Sequence, residues 1–128
     1  MANDQEINLP DVLAEVTAKF YEYEKALTTN DVIVLDALFK DAGYTVRLGA
    51  TENLYGYDEI QEFRKNRPSK GLMRTLQNTH ITTFGKDFAI ANTEFTKEGD
   101  GRIGRQSHTW VRQTDGWKIV SAHVSWMG

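Results

Sequence analysis

The stretch "GRQSHTWVRQTDGWKIVSAHVSWMG" puts two histidines and an arginine where a strand should carry apolar side chains. Alternate residues of an extended chain share one face. Reading Asp115-Gly116 as a two-residue hairpin loop sets Thr114 opposite Trp117, Arg112 opposite Ile119, Trp110 opposite Ser121 and His108 opposite His123. Val111, Val120, Ala122, Val124 and Trp126 then project from the other side. With the Trp117/Ile119 side laid on helices, His108 and His123 come to the deep end of an interior hollow. Two readings of them stand: satisfied core or rim residues, or the lining of a polar pocket where imidazole can donate, accept or titrate near neutrality. A single bulge would reverse part of this assignment.

The arginines and one tyrosine supply the remaining chemistry. Ile60, Arg64 and Arg67 share a helix face at i, i+4 and i+7, and Arg67, at the end of that helix, is read as reaching solvent. Arg47 in "TVRLG" stands between apolar neighbours on a short strand, either at an edge or facing a pocket. Arg64 and, more distantly, Arg74 are candidates for a second positive contact. Tyr23 continues the stripe through Val16 and Phe20, so its ring is inside and its hydroxyl needs a partner. That partner is a carbonyl in a core role, or a guanidinium or imidazole in a proton-donating one. Arg105 and Glu94 fall on the outer face and are read as an ion pair.

Other chemistries lack their residues. There is no cysteine, so neither a disulfide nor a thiolate is available. No HExxH or His/Asp/Glu spacing suggests a metal, and His108 with His123 alone is too few ligands for zinc. "GDGRIG" lies in a hairpin and not between strand and helix, so it is no dinucleotide fingerprint. No cofactor is expected.

These side chains need elements to hold them. Leu13, Val16, Phe20, Tyr23 and Leu27 recur at helical spacing from Asp11 to about Thr29, after a loose arm ending at Pro10. Asn30 or Asp31 caps a second helix, "DVIVLDALF", whose Val32, Leu35, Leu38 and Phe39 face a core. "YTVRLG" is a short strand, and Asp58 caps a third helix ended by Pro68. Four strands follow, "LMRTLQNTHITTFG", "DFAIANTEFTK", "RIGRQSHTWVRQ" and "WKIVSAHVSW", punctuated by glycine turns. Helices first and an antiparallel meander afterwards is an α+β order. A bent sheet around the helices encloses a small cavity. Because both sheet faces are substantially apolar, the outer one is expected to pack on a second subunit.

At 128 residues and a net charge of −3 the chain suits one domain, 1–128, with no basic footprint for nucleic acid. No apolar run of about 18 residues is present for a membrane span. The acidic, polar start argues against a secretory signal, and a cytoplasmic location is expected.

"FYEYEKALTTNDVIVLDALF", "YTVRLGATENLYGYDEIQEFRKNRP" and "GRIGRQSHTWVRQTDGWKIVSAHVSWM" together resemble the AtzH-like family, which includes the oxalurate-catabolism HpxZ proteins. The resemblance runs from about Leu13 to Met127. It implies a cone-shaped, SnoaL-like and nuclear-transport-factor-like (cystatin-like) α+β domain, with three helices in a strongly bent antiparallel sheet, often a homodimer through the sheet's outer face. It further implies hydrolysis or decarboxylation of a small anionic ureido compound such as 1,3-dicarboxyurea, alongside an amidase and its accessory subunit. Through their surrounding motifs Tyr23 and Arg47 correspond to the family's catalytic pair. Arg64, Arg74, His108 and His123 are the expected substrate-binding residues. The family often has glutamine where this chain has His108. The rival expectation is a non-catalytic metabolite-binding or accessory protein of the partner amidase. An isomerase or dehydratase is a third and weaker expectation, because no carboxylate is placed as its base.

Overall fold

The computed structural model describes residues 4–128. Helix α1 spans Pro10–Thr28, with Pro10 at the first helical position, where its missing N–H costs nothing. Its face of Val12, Val16, Phe20, Tyr23, Ala26 and Leu27 is buried, so the stripe starts at Val12 and leaves Leu13 at its margin. Helix α2 spans Val32–Leu38, and the Asp31 carboxylate accepts the Val34 N–H at 3.2 Å, as an N-cap should. Strands β1 (Val46–Leu48) and β2 (Asn53–Tyr55) form a short hairpin. Helix α3 spans Tyr57–Asn66, and its N-cap is Gly56 rather than Asp58, which lies in the first turn.

The meander is β3 (Thr75–Phe84), β4 (Phe88–Thr96), β5 (Gly104–Gln113) and β6 (Gly116–Trp126). The six strands run in the order β2-β1-β6-β5-β4-β3. Among these six strands all pairings are antiparallel but one: β1 lies parallel to β6, so the sheet closes over the helices through a strand that precedes the meander in sequence. Phe20, Leu35, Phe39, Ile60, Trp110 and Ile119 fill the space between sheet and helices. Among the described residues no helix is long and apolar enough to cross a membrane.

The segment before Pro10 is not loose over its described part. Ile7 bridges to Phe84, the Asn8 N–H donates to the Thr83 carbonyl at 3.0 Å, and the Asn8 side chain accepts the Thr83 N–H at 2.8 Å. Residues 7 and 8 thus cover the C-terminal end of the outer edge of β3, where unpaired backbone groups would otherwise face water.

The last hairpin departs from its sequence reading in a way that decides the site. Its loop centres on Thr114-Asp115, with Gln113 paired to Gly116, Arg112 to Trp117 and Trp110 to Ile119. The register then shifts: Thr109 meets Ser121, and Val120 is the extra residue on β6. Beyond this bulge the parity of β6 is inverted. Ala122 turns inward and is buried, while Ser121 and His123 turn outward and are exposed. His108 therefore pairs with Ala122 and not with His123. Arg112 stays on the inner side but at the rim, where Glu15 accepts from its Nη1 at 2.7 Å and from Trp117 Nε1 at 3.0 Å. These bonds, led by that from Trp117, hold the Glu15 carboxyl below the usual carboxylate range.

Candidate functional site

A cavity of about 270 Å³ opens at the wide end of the cone, between α1, the β1–β2 hairpin, the α3–β3 loop and the ends of β4 to β6. Tyr23 comes from the inner face of α1, where it is 3% exposed. Its ring meets His108 edge-on, with centroids 4.5 Å apart, and its hydroxyl has no hydrogen-bond partner among the described residues. A phenol that lines a cavity with its oxygen uncommitted is free to serve a ligand.

Arg47 stands at the middle of β1 and lines the same cavity. Its Nη1 donates to Glu52 Oε2 at 2.7 Å across the β1–β2 turn, which the Gly49 N–H closes onto the Glu52 carbonyl at 2.7 Å. A Cβ at position 49 would push the Glu52 carboxylate off this seat, so glycine there lets the pair form as it does. The pair leaves further guanidinium donors of Arg47 for the cavity, since an arginine carries five N–H groups. Glu52 is the only carboxylate among the lining residues.

Arg74 also lines the wall, but it is held from behind. Its Nε and Nη2 donate to the two Glu24 oxygens at 2.9 and 2.7 Å, Nη2 also reaches Gln106 at 2.8 Å, and the guanidinium lies 4.5 Å from the Phe95 ring centroid. Its side chain is 4% exposed, and removing one partner of so buried a pair strands the other. Arg74→Ala is expected to lower the unfolding free energy by about 3 kcal/mol, read by urea denaturation. A loss well under 1 kcal/mol would mean that the fork contributes no more than a surface pair.

Three expected site residues lie elsewhere. Arg64 is buried away from the cavity lining: its Nη1 donates to Asp36 at 2.8 Å and its guanidinium sits 4.7 Å over the Phe39 ring. The Tyr57 hydroxyl donates to the Asp36 carbonyl at 2.9 Å, so this cluster ties α3 to α2. His123 is exposed on the outer face, turned there by the Val120 bulge, opposite Ser107 and Leu48. His108 is buried beneath the cavity, in contact with Tyr23, Phe20 and Trp110, and neither ring nitrogen has a partner. Burial first, then the positive charges of Arg74 and Arg47, push it down to about 3, so it is a neutral imidazole in the floor. Glu94 and Arg105 are register partners on the outer face but form no ion pair among the described residues.

The cavity also gathers residues that the sequence reading passed over. Arg67, read as reaching solvent, lines the wall with Phe63, as do Lys97, Glu52 and Trp126. Four cations thus surround one small space, and this can bind and polarise an anion. Among the described residues no group of three or more acidic or histidine side chains is placed to hold a metal ion.

A helix-filled, strongly curved sheet with a charged cavity at its open end defines an α+β domain of the cystatin-like, nuclear-transport-factor-like class. Residues 5–128 match the AtzH-like family, and the chain belongs to that family. It is similar over 100% of both chains, with 58% identity and a TM-score of 0.98, to a protein of unknown function from Pectobacterium atrosepticum. A cystatin-like fold protein from Burkholderia xenovorans is 45% identical, with a TM-score of 0.92 over 96% of this chain and 97% of that one. An NTF2-like protein of unknown function from Pseudomonas putida shares the fold at 16% identity and a TM-score of 0.75, covering 90% of this chain and 86% of that one. No curated protein matches the chain.

Proposed function

We propose that the cavity is the active site of a small-molecule enzyme that hydrolyses or decarboxylates a small anionic ureido compound, a carboxylated urea. The observation that carries this reading is an uncommitted Tyr23 hydroxyl sharing one small cavity with Arg47, Arg67, Arg74 and Lys97. Membership of the AtzH-like family agrees with it. Arg47, oriented by Glu52, holds a substrate carboxylate or carbonyl oxygen. The Tyr23 hydroxyl gives its proton to the carboxylated nitrogen, the N–C bond breaks with its electron pair left on nitrogen, and carbon dioxide departs. The surrounding cations stabilise the phenolate until it takes a proton back from water. Carboxylated ureas decompose slowly by themselves, so one placed proton donor in an anion-binding cavity is a sufficient catalyst.

The test is stoichiometry. Purified protein is mixed with excess 1,3-dicarboxyurea, and release of N-carboxyurea is followed against a protein-free control. Release of many equivalents per protein, above the spontaneous rate, is the expected result. A melting temperature that rises with ligand while product stays at the control level would make this a binding protein and overturn the catalytic reading.

A further inference from the structure

Two of the four cavity cations have a carboxylate and two do not. Arg47 has Glu52 and Arg74 has Glu24, each at 2.7 Å. Arg67 and Lys97 enter no ion pair among the described residues. Lys97, just past β4, donates one N–H to the Gly71 carbonyl at 2.7 Å and so fastens the α3–β3 loop to the sheet.

Arg67 stands at the other end of that loop as the C-cap of α3. Pro68 follows it, and contact with the proline ring disfavours the helical conformation for the residue before it. The backbone of Arg67 is accordingly extended, with φ −76° and ψ 132°. This turns the side chain off the helix and into the cavity wall, 5.8 Å from the Phe63 ring centroid. Burial lowers its affinity for the proton, as do the neighbouring charges of Arg47 and Arg64, and Glu52 opposes them.

The decisive detail is which donors are idle. Arg67 Nε and Nη2 have neither solvent nor a hydrogen-bond partner. The same two atoms of Arg74 grip the Glu24 carboxylate side-on. They form the edge of the guanidinium that matches two carboxylate oxygens. Buried donors of a charged group left without an acceptor are costly. The fold supplies an acid to Arg64 and to Arg74, and none to Arg67.

We infer that Arg67, assisted by Lys97, is the seat of a ligand carboxylate, with its Nε/Nη2 edge taking the two oxygens as Arg74 takes those of Glu24. The assignment rests on the reading above in taking this cavity as the ligand site, and on no chemistry performed there. Because both donors are packed in the ligand-free wall, binding turns the guanidinium about its terminal side-chain bonds onto the incoming carboxylate. The charge that no carboxylate of the fold pairs lies on Arg67 and Lys97, which distinguishes this seat from Arg47.

Calorimetric titration with malonate, its uncharged isostere malonamide and inorganic phosphate tests the assignment. The full chain is compared with Arg67→Gln, Lys97→Met and, as a control, Arg105→Gln on the outer face. Malonate is expected to bind more tightly than malonamide or phosphate. Arg67→Gln should weaken it by about 10- to 100-fold, the range for lost hydrogen bonds to a charged group. Lys97→Met should weaken it less, and Arg105→Gln should bind as the parent does. Ligand-free Arg67→Gln should melt no lower than the parent, which a merely structural arginine would not allow. Unchanged malonate affinity in Arg67→Gln, malonamide or phosphate binding at least as well as malonate, or no malonate binding by the parent each overturns the inference. Malonate binding that depends on Arg67 in a protein without turnover would sink the catalytic reading alone. Turnover with normal malonate binding by Arg67→Gln would sink this one alone.

Discussion

Tyr23→Phe is expected to fold as the parent does and to lose about 10²- to 10⁴-fold in kcat, the range that a positioned proton donor contributes. The hydroxyl makes no hydrogen bond to the described protein, so its removal breaks nothing that holds the fold. The ring keeps its contacts with His108 and with Phe39, whose centroid is 6.2 Å away. KM should change little, since the hydroxyl acts in the transition state more than in the complex. Arg47→Ala should differ in kind. It removes a charge that the ligand meets at once, so KM rises along with the fall in kcat, and it leaves Glu52 unpaired on the β1–β2 turn. Steady-state kinetics with thermal melts separates the outcomes. If both variants melt and turn over like the parent, neither residue has a role in the chemistry.

The elements of this fold were legible because most are long and strongly patterned. The stripe from Val16 to Leu27 reads as a helix at one glance, and so does the change to period two after Leu72. The site was legible where its residues sit well inside such elements. Tyr23 is on the buried face of α1 and Arg47 in the middle of β1, and the cavity brings both together.

What failed turns on single residues. One extra residue at Val120 sends His123 outside, and its trace was available: the apolar positions switch from Trp117 and Ile119 to Ala122, Val124 and Trp126. A change of parity within one strand is the signature of a bulge. Arg64 and Arg67 looked alike by spacing, and only tertiary structure separates them. Arg64 finds Asp36, 28 residues away, while Pro68 swings Arg67 toward the cavity. Glu24 and Arg74 are 50 residues apart, and no local pattern marks them as partners. Spacing shows which cations share a face, but not which of them the fold neutralises.

His108 shows how such a buried group governs the response to acid. In the folded chain it stays neutral down to about pH 3, whereas an ordinary histidine takes up its proton near 6.5. The unfolded chain therefore binds a proton across this window that the folded chain refuses. Stability must fall as the pH drops below about 6.5, by at most about 1.4 kcal/mol per pH unit from this one group, and level off only below its folded value. At about pH 5 the parent should have lost about 2 kcal/mol that it has at neutrality. His108→Gln keeps a neutral polar side chain of similar reach in the floor and has no proton to take up, so its loss over the same interval should be smaller by that amount. The two proteins carry the same other titrating groups, so from neutrality to about pH 5 the difference between their curves isolates the imidazole. Urea denaturation of both proteins from neutrality to this limit decides it. Parallel curves would mean that the ring is protonated in the folded state, against the pull of Arg74, Arg47 and its own burial, and the floor of the cavity would then carry a charge.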